Sequence, residues 1–171
     1  MAGLNPQVFG KDMPHGFAGS FARQPDMIVE TRPAGGTANI PFGAPLVYDS
    51  SKNVVQAGAD FTAATFAGVA GSEIKSVFSY LDQRAGQYAP GEPVSVFQRG
   101  SINVKAYGAP ALGGTVYVRT AASETYTTEP VGAFTATNES SSTVALSNCQ
   151  WGGPADANGI VELAILTKLN V

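Results

Sequence analysis

Charge is what this 171-residue sequence has least of. Asp, Glu, Lys and Arg make up only 13% of it, roughly half the usual share of a soluble globular protein. With five lysines and five arginines, little charge is left to hold surfaces apart. Much of the surface is therefore expected to be covered in an assembly. A compact all-β protein with a Ser/Thr-rich surface is the other reading of the same composition. The net charge of -3, with Lys105 and Arg119 scattered and Lys11 and Arg23 diluted among apolar residues, argues against nucleic acid as a partner, since phosphates call for a concentrated basic stripe. A single cysteine, Cys149, excludes an internal disulfide and a cysteine-metal cluster. No apolar run approaches the roughly 18 to 20 residues that span a membrane, so no membrane partner is expected. No basic N-terminal region leads into an apolar core and small-residue cleavage site, so export by such a leader is not expected. The glycosylation-like Asn138-Glu139-Ser140 then carries no weight.

Glycine and proline are abundant. Twenty glycines and eleven prolines argue against long helices, while 44% hydrophobic residues suffice for the core of one domain with a minor appendage. Pro6, Pro14, Pro25, Pro33, Pro41 and Pro45 punctuate the first part of the chain, and each disfavours helix in the residue before it. Between them stand Phe9, Phe17, Phe21, Ile28, Val29, Ile40 and Phe42, a richer apolar content than a disordered linker carries. Residues 1–45 therefore read as an extended N-terminal arm, ordered by contacts along its length, and residues 46–171 as a β-domain.

Within the β-domain, Leu46-Val47-Tyr48 is a short strand candidate, residues 49–53 a turn, and "NVVQAG" its return. Asp60 is placed to cap a short helix over 61–64, and 65–70 are expected to be extended. "SEIKSVFSYL" fits helix and strand alike. Val94 and Val96, then Ile102, Val104 and Ala106, then Val116 and Val118, alternate with more polar residues, the signature of half-buried strands. Gln98-Arg99-Gly100 reads as a reversal, which predicts a hairpin over 94–107. Phe134, residues 144–146 and 160–166 mark further strands, the last behind the turn signal Asp156-Ala157-Asn158-Gly159. Five to eight short strands without a long helix predict a mainly β fold: a compact barrel, jelly roll or tulip-like domain carrying the arm.

Chemistry finds few candidates. His15 has no local base partner, which leaves it a surface or interface side chain rather than a catalytic or metal residue. Cys149, near Trp151 and without a basic neighbour, reads as a buried small hydrophobe. Asp82 and Glu92 could in principle form a glycosidase pair, but nothing in their spacing selects them from the other acids. Gly35-Gly36-Thr37 is similar to a phosphate-binding nest yet lacks the Lys and the strand-helix setting of a P-loop, so a simple turn is expected. No enzyme activity, metal or cofactor is expected. Arg23 and Arg32, with Asp26 and Glu30, form the most specific charge group of the arm. They either fix register against a protein partner or are ordinary solvated charges, and Arg99 has the same two readings.

Four stretches taken in order, "GFAGSFARQPDMIVETRPAGGTANIPFGAPLVYD", "FAGVAGSEIKS", "YAPGEPVSVFQRGSINVKA" and "ADANGIVELAI", resemble the structural cement, or decoration, proteins of tailed bacteriophages over residues 14–170. Gly71-Ser72 stand where a basic residue beside the glutamate is expected, a departure that removes one contact candidate. The resemblance implies a virion structural protein, made in the host cytoplasm, that binds the outer surface of the expanded major capsid protein shell and cements neighbouring capsomers. It also implies a homo-dimer or homo-trimer on a capsid symmetry axis. The arm would bind through Arg23, Asp26, Glu30 and Arg32 as polar anchors and Ile28, Ile40 and Phe42 as apolar ones. The alternative is a surface-displayed carbohydrate-binding or host-adhesion module, with Tyr80, Tyr88, Tyr107, Tyr117, Tyr126 or Trp151 stacking on sugars.

Overall fold

The computed structural model describes residues 14–23, 26–72 and 86–167. They hold eleven strands: β1 (Ile28–Pro33), β2 (Ile40–Pro41), β3 (Pro45–Tyr48), β4 (Val54–Gln56), β5 (Phe66–Ala70), β6 (Gln87–Tyr88), β7 (Pro93–Tyr107), β8 (Thr115–Arg119), β9 (Phe134–Thr135), β10 (Thr143–Trp151) and β11 (Ile160–Ile165). That exceeds the five to eight expected, because β1 and β2 lie in the segment read as an arm and β6 has only two residues, too few to show alternation. The predicted short helix is a 3-10 turn, Ala63–Thr65. Among the described residues there is no α-helix. Residues 1–13 lie outside the described residues, as do 73–80 and 81–85, which include most of "SEIKSVFSYL", Tyr80 and Asp82.

The mainly β expectation holds, and the closure is a barrel. Strands β11, β10, β8, β9 and β7 follow one another around it, and β7 pairs again with β11 to close the ring. All pairings are antiparallel except β7 with β9. Closure leaves these strands no free edge. Val161 stands opposite Val104 and Leu163 opposite Ile102; all four are fully buried. Burying each such side chain stabilises by about 1.5 to 3 kcal/mol. Trp151, Phe134, Val116, Val118 and Leu146 pack in the same core.

β7 continues beyond the barrel into a flank of β5, β3 and β4. A second core lies there, with Leu46, Val54, Val94, Val96, Ile40 and Tyr88. The predicted turn signals survive locally: Asp49 Oδ1 accepts from the N–H groups of Ser51 and Asn53 in the β3–β4 turn. Asp156 Oδ1 does the same for Asn158 and Ile160 ahead of β11.

The predicted hairpin over 94–107 is not present. Those residues belong to the single 15-residue strand β7. Val29 faces Phe97 and Ile28 faces Arg99 across the β1–β7 ladder, so Gln98 is an extra residue, a β-bulge. The bulge reverses side-chain parity. Phe97 before it and Ile102 after it both enter the barrel core, whereas Val94 and Val96 serve the flank. Gly100, at φ +106, allows another segment to cross here. A Cβ on it would stand 2.4 Å from the Asp26 carbonyl oxygen and 3.2 Å from Met27 Cα. The turn-like residues therefore mark a bulge and a crossing, not a reversal.

The described part of the N-terminal segment is a strap bonded along β7. Gly19 and Ala22 donate their N–H groups to the carbonyls of Asn103 and Ser101, and Asn103 donates back to Ser20. After the crossing at Gly100, β1 pairs with the first half of β7. Ala34, Ile40 and Ala44 are buried. Gly19, at φ +85, has room for no Cβ, since one would lie 2.9 Å from Phe42 Cβ and 3.0 Å from the Ala70 carbonyl.

Candidate functional site

The strap draws its polar side chains into three separate groups. Arg23 grips Glu162 of β11 with both ends of its fork, Nε to Oε1 at 2.7 Å and Nη2 to Oε2 at 3.0 Å. Arg23 itself is 72% exposed, while Glu162 is 13% exposed. Burial pushes the Glu162 carboxyl up, but the bonds from Arg23 and Ser101 outweigh it and hold the group below its usual range. Asp26 meets Arg99 at 3.2 Å, beside the crossing. Arg99 is thus a mid-strand residue rather than a hairpin tip. Glu30 pairs with Arg32 on the same strand and accepts from Gln98 Nε2 at 3.1 Å. Gln98 also donates to the Tyr48 hydroxyl, and the Arg32 guanidinium lies 5.8 Å from the Tyr48 ring centre. Burial foremost, with the Glu30 charge, raises the Tyr48 pKa.

The three apolar candidates differ in setting. Ile28 is exposed at the start of β1, whereas Ile40 is enclosed in the flank core. Phe42 packs edge-on against buried Tyr88, with ring centres 5.0 Å apart. The chain's own architecture therefore uses Ile40 and Phe42 to hold β2 against β6. Phe17, Phe21 and Val29, read from sequence only as scattered apolar positions, are exposed on the strap, as is Ile28. Phe21 also stacks on Phe97, with ring centres 5.4 Å apart.

One cluster went unread in the sequence. Arg119, wholly enclosed, bonds Glu129 and reaches Glu139 through Nη1 at 2.8 Å. Ser123 ties Glu139 to the backbone of Thr125 and Tyr126, so the cluster organises the loop between β8 and β10. Arginine at the end of an apolar alternation, followed by a polar loop with spaced acids, was the available signal.

The remaining candidates resolve as structural parts. The His15 N–H donates to Asp156 Oδ2, and its carbonyl accepts from Asn103 Nδ2, which ends the strap on the β11 turn. Cys149 is buried, and desolvation pushes its thiol up to about 12. The Gly35 N–H donates to the Val54 carbonyl, making the double glycine a turn against β4. Glu92 accepts from the Ala89 N–H within its own turn. Of the aromatics weighed for sugar stacking, Trp151 and Tyr88 are enclosed, and Tyr126 leans over Arg119 at 5.7 Å. A pocket of ≈190 Å³ between strap and barrel is lined by Ala18, Phe42, Pro45, Tyr107, Pro130 and Phe134. It gathers no acid–base pair. Among the described residues no group of three or more His, Cys, Asp or Glu is placed to hold a metal ion.

Known proteins resemble this arrangement. The fold is similar to a chain in a structure titled the capsid of Myoviridae phage XM1, with TM-score 0.70 and 19% identity, covering 99% of this chain and 100% of that one. A weaker likeness, TM-score 0.40 at 14% identity over 85% of this chain and 99% of the other, is to the head fiber gp8.5 N base of bacteriophage phi29. No curated protein sequence matches the chain. The sequence profile of the phage structural cement proteins (E217 gp24/Pam3 gp6) matches residues 5–166, and the chain belongs to that family of phage structural proteins.

Proposed function

We propose that the protein binds the outer surface of the expanded major capsid protein shell and cements neighbouring capsomers, with residues 1–45 as its docking element. It would be made in the host cytoplasm and end on the virion surface. The observation that carries this reading, beside family membership, is the distribution of exposed apolar side chains. Of the eight exposed large hydrophobics among the described residues, Phe17, Phe21, Ile28 and Val29 fall on the strap. Few charges interrupt them, and Arg23 and Asp26 are already turned onto Glu162 and Arg99. A strap bonded to β7 before docking loses less conformational freedom on binding than a free arm. Arg23, Asp26, Ile28, Glu30 and Arg32 are its outer contact residues, and Ile40 and Phe42 fix it from behind.

Cementing is a mass-action effect, in which a ligand that binds only the intact lattice stabilises it. A dimer or trimer on a symmetry axis would place several straps at once and raise their effective concentration. The test is to mix purified protein with undecorated expanded shells of its own phage. Saturable binding that raises the resistance of the shells to heat supports the proposal, and absence of binding rejects it.

A further inference from the structure

The outer edge of β1 is built for a copy of itself. Among the described residues β1 pairs with β7 alone. The Ala34 N–H donates to the Glu92 carbonyl on the β7 side, so by strand alternation the even-numbered residues turn their backbone groups inward. Val29, Thr31 and Pro33 then turn theirs outward. Such an edge is a template for another strand, and its side chains decide which. Val29, Thr31 and Pro33 are exposed, while Glu30 and Arg32 are 33% and 38% exposed, within reach of a neighbour.

We propose that two copies of this chain associate through antiparallel pairing of their β1 edges, about a two-fold axis at Thr31. In that register Thr31 faces Thr31 of the second copy, and Glu30 faces its Arg32 in both directions. Thr–Thr and opposite-charge pairs are favourable when directly opposed across antiparallel strands. The two nearest registers that keep odd residues facing odd would oppose Glu30 with Glu30, or Arg32 with Arg32, and like charges directly opposed are destabilising. The charge order of "IVETRP" thus selects one register. About four backbone hydrogen bonds result: two between the Thr31 residues, and one from each Val29 N–H to the other copy's Pro33 carbonyl. Pro33 has no N–H and ends the ladder. Each β1 then has β7 on one edge and the second copy on the other, so no edge is left for further addition and the pairing closes at two copies.

This pairing is a property of the free protein and is tested without shells, so its failure leaves the cementing proposal standing. Sedimentation of the full chain over a range of concentrations should show a dimer. Glu30→Arg and Arg32→Glu should each weaken association by about tenfold or more, because each opposes like charges. Mixing the two variants should restore the dimer as a heterodimer. In it the two introduced charges, opposite in sign, face each other, and the native Arg32 of one copy faces the native Glu30 of the other. Thr31→Pro, which removes an outward N–H and no bond to β7, should give a folded monomer by circular dichroism and sedimentation. A wild-type chain that stays monomeric overturns the proposal. So does a dimer that survives both single variants, or a mixture of variants that fails to associate.

Discussion

Arg119 donates through Nε and Nη2 to one carboxylate oxygen of Glu129, at 2.9 and 2.6 Å, with both side chains almost wholly enclosed. The other Glu129 oxygen accepts from Thr137 Oγ1 at 3.2 Å. Removing one partner of a buried pair leaves the other charged and dry, at a cost of about 3 to 5 kcal/mol. Arg119→Met should therefore lower unfolding free energy by about that much in urea titrations. Adding Glu129→Gln should recover part of the loss, since the stranded charge is then gone.

Gly100→Val should destabilise the fold by at least about 1 kcal/mol, because it combines a positive φ with a side chain at the strap crossing. The melting temperature should fall by about 2 to 4 °C per kcal/mol lost. The strap should also become more accessible to limited proteolysis near Asp26, as its crossing point is displaced.

The pH dependence follows from three carboxyls. Glu139 is held below its ordinary value of 4.5 chiefly by the Arg119 hydrogen bond, and Asp156 below 3.8 chiefly by the Ile160 N–H. Glu162 is lowered by Arg23 and Ser101 against the opposing effect of its burial. The unfolded chain takes up protons first as pH falls, so the stability these groups contribute is complete above about pH 5 and is lost progressively as pH drops through the folded values. Melting temperatures should be level at pH 6 to 7 and decline below about 4.5. The difference between wild type and Glu139→Gln should shrink over the same acid range.

Cys149 should be silent to thiol reagents in the native protein at pH 8, with its thiol pushed to about 12 by burial, and should react stoichiometrically once the protein is unfolded. Prompt labelling of folded protein would show that β10 opens at that point.

Much of the β-domain was legible because its signals are local. The Asp49 and Asp156 turns, the alternation of β8 and the last strand, β11, appear where their residues put them. Gln98-Arg99-Gly100 misled because bulges and turns draw on the same residue types, and only the distant partners, β1 and the crossing at Asp26, distinguish them. An extended proline- and glycine-rich segment could be read around Phe17 to Pro45. That its described part lies on β7 could not, since pairing between residues 28–33 and 93–99 is a long-range fact. Arg119 gives no local signal for a similar reason: its partners are ten and twenty residues away, on a loop without periodicity.

Cementing by the strap surface is read from the heat-rupture temperature of expanded shells saturated with wild-type protein or with a Phe17→Ser, Ile28→Ser, Val29→Ser variant. All three side chains are exposed, so the variant should fold as the wild type does. Wild-type protein should raise the rupture temperature, and the variant should bind weakly and leave it near that of bare shells. A variant that decorates and stabilises the shells as well as wild type would contradict cementing by the strap.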